Sequence, residues 1–411
     1  MVDRTSFIRG KFAEFYETES DRIRAPDLIE RREFGFLLFG EKIMIRHKSF
    51  KKVEDLRRFL KETVPLHVYY STAYYENPEG SMEEKGWIGA DLYFDIDADH
   101  IPTPCGKIHD RWRCGTCGFS GRGTPPERCP ICGNRGFEEK TWPCEVCLES
   151  ARLETIKLLD ILTEDFGFAP NEIKTSFSGH RGYHVNVENE EIRTLDSTSR
   201  KEIVDYITGV GLDAQFHGLG RSGTRAGVIV GPHLGDAGWR GRIARGVYEF
   251  LLKATREDLE EIGLKRKVIN AIISNRELIL KSWDSSGPWG IIRGVGLESW
   301  RTIIEQGIKT QSTRIDTVVT TDIHRLIRLS NTLHGKTGLL KVEFPAKEIE
   351  NFDPFKEAIA FTRGEVTVFV EEAPEFRLGD ETFGPFRRVK VELPMAAALL
   401  LLCKGLAEVV G

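Results

Sequence analysis

The chain has no hydrophobic run long enough to cross a bilayer, no overall excess of positive charge, and almost no cysteine outside one short block. The longest apolar run is "MAAALLLLC", residues 395–403, whereas a spanning helix needs about 20 such residues. It follows Pro394, a good first-turn residue, and predicts a buried C-terminal helix. The opening stretch, "MVDRTSFIRGKFAEFYETES", alternates charges with aromatics, which predicts neither a signal peptide nor a membrane span. A cytoplasmic protein with no membrane partner is expected. The formal net charge of −5 over 411 residues excludes a uniformly basic nucleic-acid-binding surface, so charge has to be read segment by segment. With 40% hydrophobic and 29% charged residues, the composition is that of a globular protein of two or three domains.

Aromatic spacing at Phe7, Phe12, Phe15 and Tyr16 predicts a first helix. "REFGFLLF" and "KIMIRHKSF" then read as two strands of a hairpin around Gly40. "VEDLRRFLKET" is a short amphipathic helix, "HVYYSTAYY" is strand-like, and residues 86–98 are read as one strand. A strong helix follows at "LESARLETIKLLDILTEDFGF", where Ala151, Thr155, Leu158, Leu159 and Leu162 recur at helical spacing and Gly167 is the stop. "IKTSFS" and "YHVNVE" are strands around the turn "GHRG". Residues 207–246 are glycine-rich and expected to be loop-heavy. "TREDLEEIGL", with Thr255 as N-cap, and "KRKVINAIISNRELILKSW" read as helices, and "RIDTVVTT" and "GLLKVEF" as strands. This order predicts an α/β or α+β core, with residues 206–299 as a helical insertion.

Of eight cysteines, seven lie between Cys105 and Cys147. Without an export signal, that clustering argues for metal rather than disulfides. "CGTC" (Cys114, Cys117) and "CPICG" (Cys129, Cys132) are two knuckles, each with glycine after the second cysteine; together they suit a tetrahedral zinc ion. A rubredoxin-like iron site is the chemical competitor. Outside this ribbon, Cys105, His109, Cys144 and Cys147 suit a second, Cys₃His site, or else are unligated thiols. Neither set leaves an open coordination position, so both read as structural. Arg111, Arg113, Arg122, Arg128 and Arg135 either contact phosphates or simply solvate the ribbon. Cys403, inside the apolar helix, reads as a small buried hydrophobe.

In "LYFDID" the period of two puts Leu92, Phe94 and Ile96 on one sheet face and Tyr93, Asp95 and Asp97 on the other. The paired carboxylates suit divalent cations, or mark only an exposed strand end. Asp99, beyond the strand, has no defined role. "SFSGHRGYH" brackets Ser178, His180, Arg181 and His184 with Gly179 and Gly182, which let backbone approach a ligand; an ordinary surface turn is the alternative. Residues 301–341 hold seven Lys/Arg against three Asp/Glu, a basic stretch in an acidic chain. There Asp322 precedes the helix-like pattern Ile323, Leu326, Ile327 and reads as an N-cap. Asp316, in a strand-like run, is then the better third metal ligand. Arg328 and His334 complete a candidate anion pocket.

Together, "REFGF", "IRHKSF", "YFDID", "CEVC", "EDFGF", "SGHRGYH", "RID" and "LSNTLHGKTG" resemble, in order and over roughly residues 30–340, the catalytic small subunit of archaeal and eukaryotic DNA primase. The resemblance implies an α/β catalytic core with a small mixed sheet, a zinc site beside it and a helical subdomain. The implied core is discontinuous, residues 1–205 and 300–411, with zinc-binding residues 105–147 inserted and an inner ribbon at 114–132. By the same resemblance, Asp95, Asp97 and Asp316 hold the catalytic Mg²⁺ or Mn²⁺. Ser178, His180, Arg181 and His184, with Arg328, His334 and Arg46, hold the nucleotide. Cys105, His109, Cys144 and Cys147 match the family zinc site. The inner ribbon Cys114, Cys117, Cys129 and Cys132 is an addition, His180 stands where many relatives carry arginine or lack the residue, and residues 207–246 and the tail after about 345 match nothing in the family pattern.

The expected function is template-directed primer synthesis on single-stranded DNA from nucleoside triphosphates, with a large-subunit partner that carries an iron–sulfur domain. A non-catalytic zinc-ribbon nucleic-acid binder and a metal-dependent phosphohydrolase or nuclease are the competing readings.

Overall fold

The computed structural model describes residues 3–223 and 227–410; residues 224–226 of the glycine-rich stretch lie outside them. The chain forms two compact units. One comprises residues 1–156, 169–201 and 315–411, the other residues 157–168 and 202–314.

The first unit is built on small sheets. One has the strand order Leu326–Arg328, His67–Ser71, Phe34–Leu37, Ile45–Lys48. A second has the order Val342–Pro345, Ile173–Phe177, Gly182–Val187, Leu92–Asp97. A third joins Phe386–Pro394, Glu365–Ala373 and Ala407–Val409, and a ribbon joins Ser120–Arg122, Arg111–Cys114 and Phe137–Lys140. Every strand pairing among the described residues is antiparallel. The class is therefore α+β, and the mixed sheet implied by the resemblance has no parallel pair there.

The helix Val53–Thr63 and the hairpin around Gly40 form where the sequence pattern places them. The apolar run at Met395–Cys403 is a helix with Leu399–Leu402 almost wholly buried, as a helix apolar on all sides must be. Each such leucine contributes about 1.5–3 kcal/mol of burial.

The strand expected over residues 86–98 is two strands, Trp87–Ala90 and Leu92–Asp97. Asp91 separates them, and it is a buried anchor. Its carboxylate takes Arg32 at 2.6 Å and the Tyr74 hydroxyl at 2.7 Å. Arg32, itself fully buried, also donates to the Ser71 and Thr72 carbonyls, which satisfies a charge that would otherwise be costly inside the protein.

Two expectations after residue 310 are corrected. "TVVTT" is a one-turn helix, Thr317–Thr321, rather than a strand, because the Asp316 carboxylate accepts from the Val318 and Val319 amides and caps it. The local cap overrides the strand preference of a β-branched run. Asp322 lies at this helix's C-terminal end and caps nothing N-terminally; its side chain accepts from His324 N. The apolar residues after it form the strand Leu326–Arg328, not a helix.

The second unit is helical. Gly238–Lys253 and Leu297–Gln311 are its long helices, so the expected loop-heavy region ends at Gly238. "KRKVINAIISNRELILKSW" is broken at Asn275 into Arg266–Ser274 and Arg276–Lys281. Thr255 caps Arg256–Glu261 with a full capping box. The core gathers Ile243, Val247, Ile269, Ile272, Ile303 and Ile304 around Trp283, Trp289 and Trp300, whose rings meet edge to face at 5.5 and 5.1 Å.

Candidate active site

The site grows from one strand pair. In the register of Leu92–Asp97 against Gly182–Val187, Asp95 lies opposite His184 and Asp97 opposite Gly182. Leu92, Phe94 and Ile96 are fully buried on the far face, so the alternation delivers Asp95 and Asp97 together to the near face. Asp316 reaches them through its backbone: its amide donates to the Asp95 carbonyl at 2.8 Å. Its Oδ1 is taken up by the helix cap.

Surrounding protein raises the Asp95 carboxyl to about 7, first by removing water and then by the charges of Asp97 and Asp316. Asp97 is also raised by desolvation, against the pull of Arg181. Two buried carboxylates that resist ionisation, one of them beside two further negative charges, make a wall that a cation would stabilise.

Across from them is the turn after Ile173–Phe177. The Ser178 hydroxyl oxygen accepts from the His180 and Gly182 amides, each at 3.2 Å. Gly179 has φ +84°, and a side chain there would meet the His334 Cβ at 2.8 Å. At Gly182 a Cβ would fall 2.4 Å from the Ile96 carbonyl oxygen. Both glycines are required by the close approach of turn and aspartate strand.

The His180 ring stacks on His334 at 5.2 Å, and His334 meets His67 edge-on at 5.3 Å. Arg328 lies 2.6 Å from His67 Nδ1 and over the Tyr69 ring. Lys404 donates to His180 Nε2 at 2.6 Å, and Thr141 lies 3.2 Å from the same nitrogen. Burial and then neighbouring cations hold His180, His184 and His334 well below the usual imidazole range and bring His67 down to about 2. Buried Lys341 is lowered to about 8 by desolvation. This wall therefore gathers cations and neutral imidazoles, donors suited to an anion.

Between the walls is a cavity of about 200 Å³, lined by Asp95, Asp97, Ser178, His180, His184, Arg328 and His334 among others. Two expected nucleotide ligands are not brought to it. Arg181 is fully buried under the turn, donates to Asp110 at 2.6 Å and lies against Asp99. Arg46 pairs with Glu33 at 2.9 and 3.2 Å.

The Asp110 contact ties the turn to a metal-binding cluster. Asp110 accepts from the Trp142 amide at 2.8 Å and lies 2.8 Å from His109 Nδ1. The opposite nitrogen, Nε2, is 3.5 Å from Cys105 Sγ and 3.4 Å from Cys147 Sγ. Ligand atoms of Cys105, His109, Cys144 and Cys147 all lie within 4.8 Å of one another, as do those of Cys114, Cys117, Cys129 and Cys132. The separations of 3.4–3.5 Å between neighbouring ligand atoms come close to the edge, about 3.8 Å, of a tetrahedron with metal–sulfur bonds near 2.3 Å, and a carboxylate behind the histidine is the usual outer support. In the inner ribbon Gly118 and Gly133 follow the second cysteines at φ +75° and +72°, which lets each knuckle close.

Residues 133–345 match the family described as DNA primase small subunit. Over 429 residues the chain is 35% identical to the DNA primase small subunit PriS of Methanothrix thermoacetophila, covering all of both chains. It is 34% identical to the PriS of Cenarchaeum symbiosum, covering 97% of this chain and 96% of that one, and 34% identical to the PriS of Archaeoglobus fulgidus, at 97% of each. The chain belongs to the DNA primase small subunit family.

This primase small subunit is thus a DNA-directed primase, a nucleotidyltransferase of DNA replication. None of its described helices is long and apolar enough to cross a membrane. Several residues of the primase site carry no motif of their own: His67, Asp110, Thr141, Lys341 and Lys404. Their one legible signal is Lys404, a charge directly after nine apolar residues. Asp99 gains a part as well, as the second carboxylate against Arg181.

Proposed function

We propose that this primase cleft performs template-directed nucleotidyl transfer on single-stranded DNA, with the acid wall and the imidazole–cation wall gripping opposite ends of the reaction. The observation that carries this reading is the facing of Asp95 and Asp97 against the Ser178–His184 turn across one antiparallel pair. Asp95, Asp97 and Asp316 would hold Mg²⁺ or Mn²⁺, which fits the raised Asp95 carboxyl, pushed up by desolvation and by the charges of the other two. Divalent ions there supply a lowered pKa for the primer 3′-hydroxyl and charge neutralisation for the leaving pyrophosphate.

The chain's own groups do the rest. Ser178 fixes the turn, His180, His334 and Arg328 offer donors to the triphosphate, and Lys341 adds positive charge near Arg328. Because the imidazoles are neutral before binding, an arriving triphosphate also favours their protonation. His184, 3.5 Å from Asp95, orients that carboxylate. Arg181 acts from beneath, holding the turn on Asp110, and Arg46 is assigned to the nucleotide side with its Glu33 pair as anchor.

Both cysteine clusters are assigned structural Zn²⁺: Cys105, His109, Cys144 and Cys147 beside the turn, and Cys114, Cys117, Cys129 and Cys132 in the ribbon. The partner is a large subunit, the site of action the cytoplasm, and the helical insertion of residues 206–299 has no catalytic assignment.

The test incubates the purified chain, with and without a large subunit, with single-stranded DNA, labelled nucleoside triphosphates and Mg²⁺ or Mn²⁺. Oligomers are expected, and an Asp95→Ala variant should lose synthesis by about 10³-fold or more while keeping its zinc content and fold. Undiminished synthesis by that variant sinks the metal-site assignment.

A further inference from the structure

A second cavity, of about 360 Å³, is not used by that mechanism. Its walls come from the ribbon strands Arg111–Cys114 and Phe137–Lys140 and from the C-terminal strands Glu365–Ala373 and Phe386–Pro394. Four cations line it, Arg111, Arg122, Lys140 and Arg387, together with Lys404, whose amine burial brings down to about 7, against the single carboxylate of Glu372. Such a gathering stands out in a chain of net charge −5.

Glu372 is already shared. Arg111 reaches one of its oxygens at 2.7 Å and Arg122 the other at 2.8 Å. Arg387 lies opposite Glu372 in the strand register and shares the same carboxylate at longer range, which leaves Lys140 and Lys404 facing the space without a carboxylate of their own in the lining. Like charges held together across a partly enclosed space repel, and the repulsion is relieved by a mobile anion rather than by anything in the wall. Trp142 and Phe386 add apolar surface.

Lys404 connects this cavity to the cleft. It is 9% exposed, lines the cationic cavity, and donates to His180 Nε2 at 2.6 Å, while His180 lines the cleft between the two walls. An anion in the outer cavity is therefore one side chain away from the nucleotide turn. The anions that a primase handles next to its nucleotide are the phosphates of the strands it reads and makes.

We propose that this cavity, formed by Arg111, Arg122, Lys140, Arg387 and Lys404, is a second phosphate site that holds a nucleic-acid strand beside the nucleotide cleft. The same chemistry fits phosphodiesters of a single strand or the triphosphate at the 5′ end of a nascent primer. The proposal rests on the cleft taking nucleoside triphosphates, so its test is read without them.

The experiment measures binding by fluorescence anisotropy over a range of salt, with no nucleotide and no added divalent ion. The probes are a single-stranded DNA 12-mer and RNA 9-mers carrying either a 5′-hydroxyl or a 5′-triphosphate. A Lys140→Gln/Arg387→Gln double variant changes two exposed side chains outside the catalytic machinery. It should bind about tenfold more weakly, with a salt slope shallower by about 1.4, since each single-strand phosphate contact contributes roughly 0.7. Its melting temperature should match the wild type. Glu372→Gln, which removes the one carboxylate, should tighten binding about threefold. Weakening with all strands assigns the site to the strand backbone, and weakening confined to the triphosphate RNA assigns it to the 5′ end. Unchanged affinity and slope in the double variant, or weaker binding by Glu372→Gln, overturns the proposal. Separate titration with nucleoside triphosphate and Mn²⁺ should give wild-type affinity in both variants; failure of the wild-type chain to bind nucleotide would sink the cleft reading instead.

Discussion

The two cysteine clusters make a useful comparison. Each brings four ligand atoms within 4.8 Å, yet they are set differently into the chain. In the cluster of Cys105, His109, Cys144 and Cys147, the histidine leans on Asp110, Asp110 holds Arg181, and Arg181 is the buried anchor of the turn that faces the aspartates. Cys147 is fully buried, at the start of the long helix Glu145–Glu164. In the ribbon, Cys117 and Cys132 are exposed, and the knuckles close on local contacts such as Gly118 N to Cys114 O and Cys129 N to Asn134 O. A Cys₃His set is thus placed as a joint in the catalytic unit and a Cys₄ set as the staple of a peripheral module. What distinguishes them is one histidine in place of a cysteine and the second layer of partners that this histidine recruits through Asp110.

The widest test of that difference pairs Cys147→Ala with Cys129→Ala. Each should bind one zinc fewer by metal analysis. Loss at Cys147 should lower the melting temperature of the catalytic unit by roughly 10 °C or more and abolish nucleotide binding, because metal-binding energy is spent as folding energy there. Loss at Cys129 should leave both nearly unchanged. Equal damage from the two variants would erase the distinction.

A smaller effect is expected from Asp110→Asn, which keeps the shape but weakens the charge that links cluster and turn. Zinc release to a chelator should quicken about tenfold, and KM for nucleotide should rise several-fold with a smaller change in kcat, since Arg181 positions the turn without touching the reacting atoms. Normal zinc retention and an unchanged KM would show that the link carries nothing.

The smallest effect concerns the acid wall, which no cysteine supports. Asp95 titrates near 7 in the folded chain and near 3.8 when unfolded, so the folded state binds more protons across that window and loses stability as pH rises through it. In metal-free protein, Asp95→Asn should therefore melt several degrees above the wild type at pH 8 and level with it at pH 4. Added Mg²⁺ should stabilise the wild type more than the variant. A stability gap that does not vary with pH would remove the raised carboxyl that motivates the cation assignment.

How much was legible depended on the range of the interaction. The Thr255 capping box, the helix Val53–Thr63, the knuckle glycines and the Asp95/Asp97 face follow from neighbours within a few residues. Helix Thr317–Thr321 was missed because a run of β-branched residues outweighs, on paper, one carboxylate that accepts two amides. Asp91 was missed because its partner, Arg32, lies 59 positions away.

By itself, the sequence determined the period that puts two aspartates on one face, the turn that glycine alone can make, and the paired two-cysteine knuckles. Each of these is fixed by backbone geometry over a handful of residues. Only the tertiary structure decided which charges meet. Arg181 and Arg46 are cationic and lie in promising stretches, yet one is buried on Asp110 and the other pairs with Glu33. Lys404, at the far end of the chain, instead reaches His180 across 224 positions. Local pattern sets where a side chain can point, whereas desolvation and pairing, which depend on distant segments, set what it meets there.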